Sequence, residues 1–316
     1  MSQRPSEPIP SPESADRALE ALEGAVIAAE KRPLAEPPVQ LPVEDWKAAA
    51  ERARVDLRTG LDRVLMAPDP ETGLDHLLAC GCLQALLPEV GALVGFGDSE
   101  WRHKDVWKHT KQVVRQAAPK LEVRWAALLH DVGKVTTRSI SPEGEVHFFG
   151  HAEVGARMFD RLDRRLKIFW AEPALKSAIR FLIFHHLRAN QYEPSWTDSA
   201  VRRFARDMGE HLDDLLCLSQ ADITTKRPEK RRKGLQQIDD LAERIRTLAG
   251  EDAIVPPLPT GIGDELMRVF SLPPSRLIGE LKRNLEAAVE AGEIAPHLDA
   301  SEYVAFVRAN AQRFGL

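Results

Sequence analysis

A chain of 316 residues with 43% hydrophobic residues and a formal net charge of −5 can bury a substantial core, and its mild acidity gives no general drive toward nucleic acid. Cys80, Cys82 and Cys217 are too few and too irregular for a disulfide framework, and the first two, with Gly81 alone between them, fit neither a zinc knuckle nor a redox pair. No apolar run approaches the roughly 20 residues that span a bilayer, and the N-terminus lacks the basic and apolar regions of a secretory signal, so a cytoplasmic protein without a membrane segment is expected.

Residues 1–44 are rich in Pro, Glu, Ser and Ala, have little to bury, and are expected to form a disordered tail; the composition of Ala15 to Lys31 allows only a transient helix. From Val43 the apolar spacing turns helical: Trp46, Ala49, Ala53, Leu57 and Leu61 recur at threes and fours. After a turn at Pro68-Asp69-Pro70 come Gly73 to Leu78, Leu83 to Leu87 and Leu93, with Gly91, Gly95 and Gly97 marking the exit toward Trp101. Residues 45–100 are thus a helical segment expected to pack on the core that follows.

That core is expected over residues 101–225. Val106, His109, Val113 and Val114 share a helix face, which turns His109 inward; one inward histidine is more often a hydrogen-bonded core residue than a ligand. Next, the apolar run Trp125 to Leu129 leads straight into His130-Asp131, followed by Gly133 and Lys134. An imidazole and a carboxylate at the end of a buried apolar helix cost several kcal/mol, as an order of magnitude, unless they are partnered. A divalent metal satisfies both, and so does water if the helix end is exposed. Residues 132–150 read as a loop, briefly extended at Glu145 to Phe149, and His151 opens a helix directly after Gly150. A helix from Pro173 carries Leu175, Ile179, Leu182 and Ile183 and closes on His185-His186; helices near 198–208 and 211–224 follow, the last turning Asp222 inward beside Leu215 and Leu218. Trp107 and Trp125 fall at core spacings.

The run Lys226 to Lys233 is strongly basic, a pattern that serves either as a solvated loop or as an RNA contact. Beyond it, residues 226–316 read as an appended helical region with helices near 234–249, 263–270, 275–291 and 300–313, joined by the Pro-rich turn at 255–259. No alternating strand series and no repeat interrupts the pattern, so the fold class is all-α, a helical bundle with an appended C-terminal helical region.

His109, His130, Asp131, His151, His185 or His186, and Asp222 therefore sit on or at the end of five different helices facing a common core. Several imidazoles with two carboxylates form a cage for one or two divalent ions, with Mg, Mn, Fe, Ni, Co and Zn all open. The ordered set H…HD…H…H…D over about 105–225 resembles the HD-domain superfamily of metal-dependent phosphohydrolases. The flanks narrow the resemblance. Gly73-Leu74, Leu86 to Val90, Asp105 to Thr110, Gly150 to Ala156 and the region from Gly279 to Ile294 resemble the HD region of bacterial tRNA nucleotidyltransferases and poly(A) polymerases, from roughly residue 50 to 300.

Carried over residue by residue, the family pattern implies His109, His130, Asp131 and Asp222 around one ion and His151 with His185 or His186 around a second, Asp131 bridging. Neighbouring helical residues point about 100° apart, so only one of the adjacent pair should enter the site, and His185 is favoured here. The resemblance implies hydrolysis by metal-activated water at a nucleotide or RNA phosphoester, of the 2′,3′-cyclic phosphate or phosphomonoester type, with Asp131 and Lys134 as the catalytic candidates. Lys134 is either a phosphate contact or a solvated loop lysine, and Arg138 and Arg188 are weaker candidates of the same kind. The segment before residue 45 has neither the Gly-rich phosphate loop nor the paired strand aspartates of a nucleotidyltransferase head, so that activity is not expected. Two alternatives keep the fold: a di-iron oxygenase on the same ligand set, and a non-catalytic RNA- or partner-binding module.

Overall fold

The computed structural model describes residues 11–96, 105–254 and 256–316; the first ten residues of the expected tail, Gly97 and Trp101 at the expected exit, and Val255 of the Pro-rich turn lie outside them. Among the described residues the regular elements are helices apart from one antiparallel hairpin, β1 (Ser139–Ile140) paired with β2 (Val146–His147). They fall into two compact units, one comprising the chain up to Asn190 with Asp213–Leu235, the other Gln191–Leu212 with Gln236–Leu316. The helix at 198–208 thus groups with the C-terminal helices, not with the core expected over 101–225.

In the first unit the expected disordered tail is helical from Pro12. The expected tail contains α1 (Pro12–Ala29), begun by Pro12 in its first turn and by the Ser11 hydroxyl, which accepts the Ser14 N–H at 3.2 Å. Ala18, Leu22, Ala25, Val26 and Ala29 are buried against α2 (Val43–Arg52), α3 (Arg54–Met66) and α4 (Pro70–Ala79). The contact depends on missing side chains: a Cβ on Gly73 would lie 2.7 Å from the Ala29 Cβ, and one on Gly60 would lie 2.3 Å from Leu22 Cδ2. Arg17 closes it with two bonds of 2.8 Å to the buried carboxylate of Asp45. Small side chains pack closely yet contribute little hydrophobicity, which is why the segment resembles a tail.

The helical run from residue 43 breaks at Ala53 (φ −132°), giving α2 and α3 in place of one helix; Trp46, Ala49, Leu57 and Leu61 are buried as their spacing predicts. The Trp46 indole donates to the Cys80 carbonyl at 3.2 Å, and Cys80 and Cys82 are buried free thiols. Two short helices, α5 (Cys82–Leu86) and α6 (Pro88–Gly91), follow.

Around the centre of this unit stand α7 (Val106–Gln116), α8 (Leu121–Leu129), α10 (His151–Leu166), α11 (Pro173–His185) and α13 (Leu212–Ala221), with the single turn α9 (Lys134–Thr137) after α8. The central helix α8 is buried along most of its length. Two polar devices fix it: Arg124 donates to the carbonyls of Ala117, Leu65 and Ala67, and the Trp125 indole donates to Asp62 at 2.7 Å. Burial pushes the Asp62 carboxyl up, while bonds from Arg58 and Trp125 act in the opposite direction.

The basic run is helical where a loop break was expected. Pro228 opens α14 (Pro228–Ile254), so Pro228–Lys233 form its first turns with their charges exposed. In the second unit, α12 (Asp198–Met208), α15 (Ile262–Phe270), α16 (Arg276–Glu290), α17 (Ala300–Ala309) and α18 (Ala311–Phe314) supply the remaining helices, the expected 300–313 helix being split at Asn310. Leu266, Leu281, Leu285, Tyr303 and Val307 centre its core, and the Tyr303 hydroxyl reaches the Pro257 carbonyl at 2.8 Å.

Candidate metal centre

Six polar side chains meet in the first unit because four helix ends and one helix face converge there. His109 comes from the inward face of α7, His130 and Asp131 from the end of α8, His151 from the first residue of α10, His186 from the end of α11, and Asp222 from the first position after α13. The helix expected over 211–224 stops at Ala221, but the Asp222 N–H still donates to the Leu218 carbonyl, which keeps its side chain turned inward.

Asp131 is central. Its Oδ2 lies 3.4 Å from His109 Nε2 and 3.2 Å from His130 Nε2, and its Oδ1 lies 3.6 Å from His151 Nε2. Asp222 Oδ1 is 3.0 Å from His109 Nε2 and 3.6 Å from His130 Nε2. Two overlapping triads result, His109–His130–Asp131 and Asp131–His151–His186, with Asp131 common to both. Of the adjacent pair at the end of α11, His186 enters the cluster, its Nε2 3.2 Å from His151 Nε2. His185, favoured from the sequence, is half-buried instead, with its ring against Phe181 and Phe184. The reason is rotation: consecutive residues leave the helix about 100° apart, and the end of α11 turns the second histidine inward.

The tautomers follow from the acceptors. His130, His151 and His186 each place Nδ1 2.8 Å from the carbonyl three residues back, those of Ala127, Phe148 and Ile183. A carbonyl only accepts, so each Nδ1 carries a proton and each Nε2 is left for the centre. Burial pushes the His186 imidazole down to about 4 and lowers that of His151, so both are neutral near pH 7. Their Nε2 lone pairs then face each other at 3.2 Å with no proton to share, an arrangement that suits a cation between or beside them. Burial also disfavours a charged His130, but the carboxylates of Asp131 and Asp222 outweigh it and raise this imidazole to about 10. Burial works against both carboxylates as well; even so, His130 and His109 hold Asp131 and Asp222 well below the usual carboxylate range. Asp131 Oδ1, moreover, is buried without a hydrogen-bond donor. An orphaned anionic oxygen among oriented Nε2 atoms fits a divalent metal, whose binding would displace the His130 proton.

The other expected residues are placed less centrally. Lys134 Nζ lies 2.7 Å from Asp131 Oδ2 and 5.7 Å from the centroid of the Phe148 ring. Arg138 is exposed, its guanidinium 5.9 Å from the Phe96 ring centroid. Arg188 is half-buried in the turn after α11, its N–H donating to the His185 carbonyl at 2.8 Å. One participant was missed: Thr224, buried two residues past Asp222, places its hydroxyl 2.8 Å from His109 Nδ1 and so orients the one histidine with no backbone carbonyl to do so. A hydroxyl has no sequence pattern of its own; its separation from Asp222 was the only available signal.

Residues 106–227 match the family model described as HD domain, so the chain carries an HD domain, and the cluster lies within it. The chain is 31% identical over 272 residues to the A-adding tRNA nucleotidyltransferase of Deinococcus radiodurans, covering 84% of this chain and 59% of that protein. It is also 31% identical over 266 residues to the CC-adding tRNA nucleotidyltransferase of Thermus thermophilus (81% and 57%), and 36% identical over 185 residues to the multifunctional CCA protein of Pseudomonas paraeruginosa (57% and 43%). It is thus homologous to tRNA nucleotidyltransferases over about 80% of its length, and spans less than three fifths of those relatives.

Proposed function

We propose that this chain is a metal-dependent phosphohydrolase that cleaves a nucleotide or RNA phosphoester of the 2′,3′-cyclic phosphate or phosphomonoester type. The observation that carries the proposal is the buried Asp131 carboxylate shared by two histidine triads, with one oxygen left without a donor. A divalent ion bound there supplies a water whose pKa falls toward about 7 and polarises the phosphoryl oxygens. His130, His151 and His186 are fixed by their Nδ1–H bonds, so their Nε2 atoms need no reorganisation to act as ligands. Asp222 balances charge beside His109 and His130. Lys134, already beside Asp131, offers its ammonium to a phosphoryl oxygen, and Arg138 and Arg188 are proposed as more distant phosphate contacts.

Two further observations support the proposal. The named relatives act on tRNA, which favours an RNA substrate, and the cluster is rich in neutral imidazole, which suits water activation better than nucleotide addition. No described helix is long and apolar enough to cross a membrane, and with three free cysteines we place the protein in the cytoplasm.

The test is elemental analysis of the purified full chain, followed by a phosphoester panel with the metal found and a parallel assay for nucleotide addition to tRNA. Metal-dependent release of phosphate, lost in Asp131→Ala with the fold intact by circular dichroism, is the expected result. No turnover across nucleotides, cyclic phosphates and generic phosphomonoesters would overturn the proposal.

A further inference from the structure

A cavity of about 590 Å³ opens beside the metal centre and shares His109 and Thr224 with it. Its wall also carries Lys108 from α7, Lys226 and Arg227 from the segment before α14, and Lys230 from the first turns of that helix. Among the described residues Asp105 is the only carboxylate in the lining, and its Oδ1 is engaged by the Lys108 N–H at 3.0 Å. Among the described residues, none of the four cations has a carboxylate within ion-pair distance. Like charges gathered around a concave surface without counter-charges repel one another, and the field they focus attracts an anion. The positive end of a 27-residue helix adds to that field. Pockets of about 300–1,000 Å³ hold nucleotide-sized ligands, so this cavity has room for more than one phosphate.

We infer that the cavity is a subsite for the strand next to the reacting phosphate, which makes the substrate the end of a single-stranded oligonucleotide and not a mononucleotide. The placement rests on the phosphohydrolase proposal, because a phosphoryl group at Asp131 sends its neighbouring nucleotide past His109; the binding of a strand does not. The His109 side of the cluster opens into this basic wall, so recognition runs through backbone phosphates and is indifferent to base sequence.

The experiment compares the full-length protein with Lys226→Gln/Arg227→Gln/Lys230→Gln, exposed positions whose replacement should leave the melting temperature unchanged. Fluorescence anisotropy of an eight-nucleotide RNA with a 3′-phosphate, titrated between 50 and 200 mM salt, should show at least tenfold weaker binding. The salt slope should flatten by about 2, since each lost phosphate contact removes about 0.7 on single strands. A DNA strand of the same sequence should weaken in parallel, as recognition through phosphates requires. In turnover, KM for the oligonucleotide should rise at least tenfold while kcat and KM for p-nitrophenyl phosphate stay within twofold. Unchanged strand binding in the triple variant, or equal loss on the strand and on p-nitrophenyl phosphate, would overturn the inference. If no phosphoester is turned over at all, the hydrolase proposal falls, while the anisotropy comparison still decides whether the subsite exists.

Discussion

Gly133 and His151 are in backbone contact: a Cβ on Gly133 would lie 2.1 Å from the His151 carbonyl oxygen and 2.8 Å from the Gly155 amide nitrogen. The turn that carries His130 and Asp131 is thereby pressed onto the start of α10, which sets the separation between the two triads. Gly133→Ala must push these segments apart. We expect a stability loss of about 1–3 kcal/mol, the usual cost of overpacking, together with loss of bound metal. Denaturant melts and elemental analysis check both; full metal occupancy in a stable variant would show that the contact does not set the site.

His186→Ala and His185→Ala separate two neighbours that sequence alone cannot tell apart. The first removes an inward Nε2 and should lower metal affinity by about 100-fold or more, beyond the 10- to 100-fold typical of residues behind the ligands. The second removes a ring packed on Phe181 and Phe184 and should leave metal affinity within about twofold. Competition with a calibrated chelator measures both, and the opposite order would return the ligand role to His185.

Thr224 orients His109 through its hydroxyl, so Thr224→Val should cost about 10- to 100-fold in metal affinity or activity, and Thr224→Ser should restore most of it. Failure of serine to rescue would mean that the methyl group matters more than the hydrogen bond.

Leu22 is buried in α1 against the bare face of Gly60. Leu22→Ala should destabilise the first unit by about 2–5 kcal/mol, as truncation of a buried leucine does. A solvated tail would show no change in a urea melt.

His76, buried on α4 beside Gly24 of α1, is held below its ordinary value by burial, against a smaller opposing contribution from the Ala21 backbone. A depressed histidine takes up a proton in the unfolded chain before it does so in the folded one. Stability from this position is therefore complete above about pH 7.5 and declines as pH falls through the unfolded value near 6.5. The stability difference between the wild type and His76→Gln, followed by denaturation from pH 8 to 5, should shrink as pH falls; a difference that is flat with pH would remove His76 from the account.

The convergence of the polar cluster was largely legible because imidazole and carboxylate on apolar helix faces are costly without a partner, so His109, His130, Asp131, His151 and Asp222 identify one another. His186 was not separable from His185, since one residue of uncertainty in where α11 ends rotates the answer by about 100°. The helix α1 escaped because its burial depends on Gly60 and Gly73 in distant helices, and an alanine-rich face carries little signal until those glycines are opposite it. The basic run read as a loop because its charges outweigh, in composition, the Pro228 that starts a helix.

The carbonyls of Ala127 and Ile183, which fix His130 and His186, belong to the last turns of α8 and α11. A helix leaves its final four carbonyls without an internal partner, so these two acceptors are available only because the helices stop where they do. One more turn of either helix would hand the carbonyl to a backbone N–H and release the ring to carry its proton on either nitrogen. Helix termination and protonation state are the same structural decision here, and insertions or deletions that shift a helix end by a few residues would disarm the centre while leaving every histidine and aspartate of the cluster in the sequence.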